Sequence, residues 1–386
     1  MHRLAAALLA AFLLLSPLSA AAKGNLAWEQ WQHVPGVFDV VGPWGGSLLL
    51  ATEKGLYQLD PTSGQLFPAR IAPLSLAAGA EAYIALSPGL PVTGTTCSFP
   101  NQAIYILKTA SPPAVLVVDL VSGGSETFAS IPGVDTLSGI AFDRFGRFGN
   151  RLLVIGPHGG QTVVDAIDCN GKVSRVTDSA PRMEGGMEVA PPTFGAYGGD
   201  LIVPDEYSGE IIAVTPEGTT QVVVRNGLAT GGDVGAESAG FVPAGFLRGG
   251  TAYLADRATA NNAHAGTDTV LRLGSSQLLA EGVTEGDLLV ANEGGGDTVV
   301  VHCAPDGGCS NLRHLGQATS AAHIEGHLLA VADNPGAAPP PLPAGKLGST
   351  GQRGIFTYLP YGVGLVIFAA IYLYSRRRRP SRIRLP

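Results

Sequence analysis

The chain has 386 residues, is 45% hydrophobic and only 14% charged, and contains 53 glycines and 28 prolines. With Arg3 and the six arginines after residue 375 set aside, 17 basic residues face 31 acidic ones, a balance of about −14 against the formal −7 of the whole chain. That sign excludes a nucleic-acid partner, which needs a basic face, and leaves room for divalent cations or basic partners.

In chain order the first element is a secretory signal over residues 1–22. His2 and Arg3 make a basic start, Leu4 to Leu15 are unbroken apolar residues, and Ala20 and Ala22 supply the small-x-small pattern for cleavage before Lys23. An apolar run of 12 residues is too short to span a bilayer.

Residues 23–334 show almost no helical periodicity. Short β-rich runs such as SLLLATE, AIYILK, DLIVPD, TAYLAD and DLLVAN alternate with Gly, Pro, Asp and Asn, the pattern of strands of five to seven residues closed by tight turns. A repeat runs through them. Phe145–Val154 aligns with Phe194–Val203 at an offset of 49, and Gly198–Asp205 aligns with Gly249–Asp256 at an offset of 51. Fainter copies start at Gly46, Gly286 and Gly326. A period of this size, filled by about four strands, is one blade of a β-propeller. The expected fold is therefore all-β: a propeller of six or seven blades, each of about four antiparallel strands, over 23–334.

The best-defined blade places its inner strand at Gly186–Ala190, the second at Asp200–Asp205, the third at Glu210–Thr215 and the outer one at Thr219–Val224. The segment from Leu86 to Asn101 reads as an insertion carrying Cys97. The last copy, His323 to Asn334, runs short of strands, so a strand within Leu26–Val34 is expected to complete that blade and close the ring.

Four cysteines in an exported domain read as two disulfides, for which three pairings exist. Cys303 and Cys309 flank the turn sequence Ala-Pro-Asp-Gly-Gly and pair across a hairpin, leaving Cys97 with Cys169. A zinc site is the competing reading, and no C-x-x-C spacing supports it.

Residues 335–354 form a Pro/Gly-rich linker, in which Pro339–Pro343 is expected to be extended. Leu342–Lys346 approaches a sorting signal of the LPxTG type but has Gly345 where that chemistry needs Thr. Residues 355–374 are 20 uncharged residues, about 30 Å as a helix, with tyrosines at both ends, and they predict one transmembrane helix. Residues 375–386 follow as a basic tail. By the positive-inside rule the tail is cytoplasmic, so the chain is expected at the cell membrane as a single-pass protein with its N-terminus outside.

The repeat with its Glu184-Gly-Gly-Met start and the run GGDLIVPDEYSGEIIAVTPEG resembles the NHL and gluconolactonase (SMP-30) group of β-propellers, over about residues 130–250. The resemblance implies a divalent cation, Ca²⁺, in the central channel. Here Glu184, Glu237, Asn292 and Asp333 are the positions able to hold it. The Glu-Gly-Pro-x-Trp pattern of the lactonases is absent, and no counterpart of their catalytic Asp stands out.

Other motifs carry less. Asp256, Asn261, Asn262 and His264 make a polar loop at a blade end. His323-Ile-Glu-Gly-His327 puts two His and a Glu on one strand face, ligand types that zinc accepts, although HExxH chemistry needs a helix. Ala236-Glu-Ser-Ala-Gly240 mimics a nucleophile elbow without its first Gly or following helix. The first functional expectation is a membrane-tethered, extracytoplasmic module that binds an extracellular ligand or protein at one mouth of the ring. The alternative is a Ca²⁺-dependent, lactonase-like hydrolase.

Overall fold

A computed structural model describes residues 26–69, 81–119, 122–225, 227–305, 308–309, 311–335 and 345. The signal segment 1–22, the transmembrane span 355–374, the tail 375–386 and all of the linker except Pro335 and Gly345 lie outside the described residues. Among the described residues, no helix is long and apolar enough to cross a membrane.

The strands form six sheets, so the ring has six blades. Blade 1 is Val37–Trp44, Ser47–Thr52, Gly55–Leu59 and Leu66–Pro68 from the axis outward. Blade 2 is Ile84–Leu86, Ile104–Lys108, Ala114–Val118 and Ser125–Ser130, and blade 3 is Gly139–Phe142, Leu152–His158, Gln161–Ile167 and Val173–Ala180. Blade 4 is Glu188–Val189, Leu201–Asp205, Glu210–Val214 and Thr220–Arg225, as the repeat predicts to within two residues.

Why these runs are nearly continuous in apolar residues follows from the packing. Each blade buries both faces against its neighbours, so both sets of alternating side chains must be hydrophobic. Leu201, Val203, Ile212 and Val214 pack with Leu153, Ile155 and Val164 of blade 3. The intervening Ile202, Ile211 and Ala213 pack with Leu288, Val290 and Val299 on the other side. Outer strands such as Thr220–Arg225 are partly exposed and admit polar residues among their valines. Turns are held by acidic side chains: Asp143 accepts the amides of Phe145, Gly146, Phe148 and Asn150, and Asp205 accepts those of Tyr207 and Ser208.

Blades 5 and 6 depart from a simple run of successive blades. From the inner strand of blade 5, Ala236–Phe241, the chain crosses to build the second and third strands of blade 6, Gly250–Asp256 and Thr269–Gly274. It then returns to complete blade 5 with Leu288–Asn292, Thr298–His302 and Asn311–Gln317, and only afterwards lays down the inner strand of blade 6, Ile324–Ala332. The faint repeat copy at Gly326 therefore lies on an inner strand, unlike the other copies, which mark second strands. The outer strand of blade 6 is Glu29–His33, antiparallel to Thr269–Gly274, so the N-terminal strand does close the ring. Leu26–Ala27 adds a parallel edge to blade 5.

Both disulfides form as the spacing predicts, with Cα–Cα distances of 5.9 Å for Cys97–Cys169 and 4.0 Å for Cys303–Cys309. The first ties the 87–101 insertion of blade 2 to the turn after Gln161–Ile167 in blade 3.

Candidate functional site

The inner strands line a channel whose two ends differ in chemistry. Where these strands run toward their C-terminal ends, a cavity of about 140 Å³ is lined mainly by apolar side chains, among them Val41, Ile84, Leu86, Ile140, Phe142, Met187 and Phe241. Where they begin, a chamber of about 210 Å³ is lined by Glu81, Ser138, Arg182, Glu184, Gly185, Glu206, Asp233, Glu237, Glu293 and Glu325.

Two local positions deliver these carboxylates. One is the start of an inner strand: Glu81 precedes Ile84–Leu86, Glu184 precedes Glu188–Val189, and Glu237 and Glu325 open theirs. The other is the residue just past a second strand: Glu206 follows Leu201–Asp205 and Glu293 follows Leu288–Asn292. Antiparallel pairing brings both positions to the same end of the channel.

Inside the chamber, Glu237, Glu293, Glu325 and Glu206 are buried, while Asp233 stands exposed at the rim. The Tyr83 hydroxyl lies 2.9 Å from Glu237, 3.1 Å from Glu325 and 3.2 Å from Glu81. One hydroxyl has one proton to donate, so further bonds there require a protonated carboxyl. His323 Nε2 sits 3.1 Å from Glu293 Oε1 and 3.2 Å from Glu325 Oε1. Arg257 reaches Glu81 at 3.2 Å and Glu325 at 3.5 Å. At the mouth Arg182 pairs with Glu184 at 2.6 Å and Glu206 at 2.9 Å, and its guanidinium stacks 3.5 Å from the centre of the exposed Tyr207 ring.

So dense a set of acids cannot all ionise. Burial, then the nearby Glu325 and Glu206, push Glu293 up to about 10. Burial and Glu184 push Glu206 up to about 8. Glu237 is raised well above the usual carboxylate range, by burial first and then by Glu325 and Glu81. Arg257 loses solvation, yet Glu325 and Glu81 outweigh that loss and hold its pKa above the ordinary value. Seven lining carboxylates against one lining arginine leave the chamber short of positive charge, and a divalent cation is the ligand class that such donors fit.

Of the four residues expected to hold a cation, Glu184 and Glu237 line the chamber and Asn292 and Asp333 do not. The Asn292 amide turns away to donate to the Ala229 carbonyl at 2.8 Å. Asp333 follows Ile324–Ala332 at the far end of the strand that begins beside Glu325. The neighbouring Glu293, one residue past Asn292, faces the chamber instead, because strand alternation reverses direction at each residue.

His323 and Glu325 do share a face, as the HIEGH pattern suggests, while Gly326, at φ +67°, sits at a bulge that diverts His327. His327 Nδ1 lies 2.9 Å from Asp39 Oδ1, and Nε2 lies 2.9 Å from the Ile140 carbonyl. In the polar loop after blade 6's second strand, Asp256 is buried and accepts the His323 amide, a structural role. Ser238 of the AESAG run donates to the Gly326 carbonyl at 2.6 Å within an inner strand, not on an elbow.

No protein-family model matches the chain, and no curated protein does. Solved structures resemble it distantly. A protein assigned as a gluconolactonase is 12% identical, with a TM-score of 0.42 over 78% of this chain and 87% of that one. A streptogramin B lyase is 9% identical, with a TM-score of 0.39 over 76% and 87%. Regucalcin from Agrobacterium tumefaciens, a calcium-binding protein, is 11% identical, with a TM-score of 0.37 over 61% and 74%. At these levels of likeness neither architecture nor activity is taken from them, and the six blades rest on the strand pairing alone.

Proposed function

We propose that the propeller binds a divalent cation in its acidic chamber and, through it, a small oxygen-rich ligand entering from the mouth beside Tyr207. The observation that carries this reading is the convergence of buried Glu237, Glu293 and Glu325 on one chamber of about 210 Å³. A bound cation would offset their mutual repulsion and offer open coordination positions to a carbonyl, carboxylate or hydroxyl oxygen. Arg257 and Tyr83 hold Glu325 and Glu237 in place, and Glu184 at the rim is free to exchange Arg182 for the incoming ligand.

A second reading, hydrolysis of a cyclic ester, draws on Glu206. A carboxyl at about 8 in the same chamber is mostly protonated near neutral pH and could give its proton to the alkoxide that leaves as the ester C–O bond breaks. The sequence resemblance to the lactonase group suggests that substrate class. In either case the propeller would sit on the outer side of a membrane, carried by residues 355–374. Its two disulfides suit that oxidising compartment.

Calorimetric titration of the full-length protein with Ca²⁺, Mn²⁺ and Zn²⁺ tests the reading. One site per chain is expected, weakened at least tenfold by Glu237→Gln. A panel of lactones assayed with the loaded protein separates binding from hydrolysis. Absence of any stoichiometric cation site would overturn both readings.

A further inference from the structure

We infer that the ion is a first-row transition metal held by His323, Glu293 and Glu325, not Ca²⁺. The inference rests on the cation reading above and specifies it. These three residues each bring a ligand atom within 4.8 Å of the others, and all three are buried. One of the donors is an imidazole nitrogen. Ca²⁺ takes six to eight oxygens and has little use for nitrogen, whereas Mn²⁺, Fe²⁺, Co²⁺ and Zn²⁺ accept imidazole together with carboxylate.

The spacing agrees with the smaller ions. His323 Nε2 is 3.1 Å from Glu293 Oε1 and 3.2 Å from Glu325 Oε1. Adjacent ligands about 2.1 Å from a metal stand about 3.0 Å apart in octahedral geometry and about 3.4 Å apart in tetrahedral geometry. Around Ca²⁺, at about 2.4 Å, neighbours stand about 3.4 Å apart in octahedral and about 2.8 Å apart in seven-coordinate geometry, so the nitrogen donor and not the spacing separates the ions.

The backbone presets this arrangement. Gly294 and His323 form a β-bridge, and the Ile324 amide donates to the Glu293 carbonyl at 2.9 Å, so the two segments that carry the donors are locked side by side. The second oxygen of Glu325 accepts from Tyr83 at 3.1 Å, which orients the carboxylate.

One buried polar atom also points to a missing occupant. Ser138 Oγ, on a residue lining the chamber, has no hydrogen-bond partner among the described residues. Buried polar atoms are rarely left so, and an ion with its own bound waters would supply what Ser138 lacks.

The test uses full-length protein stripped with chelator and loaded separately with Mn²⁺, Zn²⁺ or Ca²⁺. Mn²⁺ and Zn²⁺ are expected to bind one per chain at least 100-fold more tightly than Ca²⁺. The Mn²⁺ form should show ¹⁴N hyperfine coupling from a directly bound imidazole. His323→Gln, which keeps a neutral hydrogen-bonding side chain, should abolish that coupling and remove most of the preference over Ca²⁺. The ¹⁴N measurement on the unmodified protein stands even if the variant fails to fold. Equal affinity for Ca²⁺, or a bound Mn²⁺ without nitrogen coupling, would overturn this assignment and leave the cation reading intact. Failure of every cation to bind would overturn both.

Discussion

The metal-free chamber makes a prediction that needs no knowledge of the ligand: the protein should lose stability as pH rises from 6 to 8. Glu293 is raised to about 10 in the folded state, against about 4.5 when unfolded, so across this window it holds a proton in the native chain and none in the unfolded one. A native state that binds one more proton loses about 1.4 kcal/mol of stability per pH unit. Glu293 alone therefore contributes a fall of about 3 kcal/mol between pH 6 and 8. Glu206, at about 8, adds a fall of about 2 kcal/mol whose slope fades toward the upper end. His327, which burial would lower but the Asp39 carboxylate raises, acts with the same sign, because its bound proton is also lost as pH climbs through the folded value. For a domain of this size the Glu293 share alone corresponds to a drop of about 5 °C in melting temperature. The assay is urea or thermal unfolding of chelator-treated protein at pH 6, 7 and 8. Glu293→Gln, neutral at every pH, should exceed the parent by about 2 kcal/mol at pH 6 and about 5 kcal/mol at pH 8, and so flatten the slope. Saturating cation should flatten it too, since the ion replaces the protons. Stability that is constant or rising from pH 6 to 8 in the metal-free protein would refute the reasoning.

Three further outcomes are expected. Replacing both Cys97 and Cys169 by Ser should cost about 4 kcal/mol in denaturant titrations, against about 2 kcal/mol for Cys303 and Cys309, since the closed loops span 72 and 6 residues; equal losses would contradict the loop-entropy account. Arg182→Met should raise cation affinity roughly fivefold by freeing Glu184 and Glu206, about 1 kcal/mol for a half-exposed pair, and calorimetry showing weaker binding would make Arg182 part of the site. Gly326→Ala should lower stability by roughly 1–3 kcal/mol, because φ there is +67° and a Cβ would come within 2.5 Å of Asp39 Oδ1; a neutral result in thermal melts would mean the bulge relaxes freely.

Much of the architecture is legible in sequence because a blade buries both faces, so its middle strands become unbroken apolar runs with fixed turn chemistry at each end. The blade from Glu188 to Arg225 could be drawn almost residue for residue. The exchange of strands between blades 5 and 6 could not, since Gly250–Asp256 carries the same local pattern whichever sheet receives it. At the chamber, Glu184 and Glu237 were readable as residues opening an inner strand. Glu206 and Glu293 were missed, although a partial signal existed: the residue after the second strand is charged in four of the six blades, as Glu53, Glu206, Arg257 and Glu293, and is Thr109 or Gly159 in the other two. Asn292 stands one position before Glu293, which lines the chamber, and in a strand one position turns a side chain to the opposite face. His323 and Glu325 were visible as a pair on one face, but nothing local shows that Glu293, thirty residues earlier, closes the triad.

The order in which strands enter blade 6 has a consequence for synthesis. Its outer strand, Glu29–His33, is made first, its middle strands come after residue 250, and its inner strand, Ile324–Ala332, comes last. At translation rates of about 5–20 residues per second, Glu29–His33 waits on the order of ten seconds or more without the partner that will pair with it. A waiting edge invites pairing with other chains. Its sequence, Glu-Gln-Trp-Gln-His, is polar at four of five positions, which guards it during that interval. A nascent chain truncated before Thr269 should therefore stay soluble with this strand unpaired, and Trp31 fluorescence should report its docking only once the whole ring has emerged.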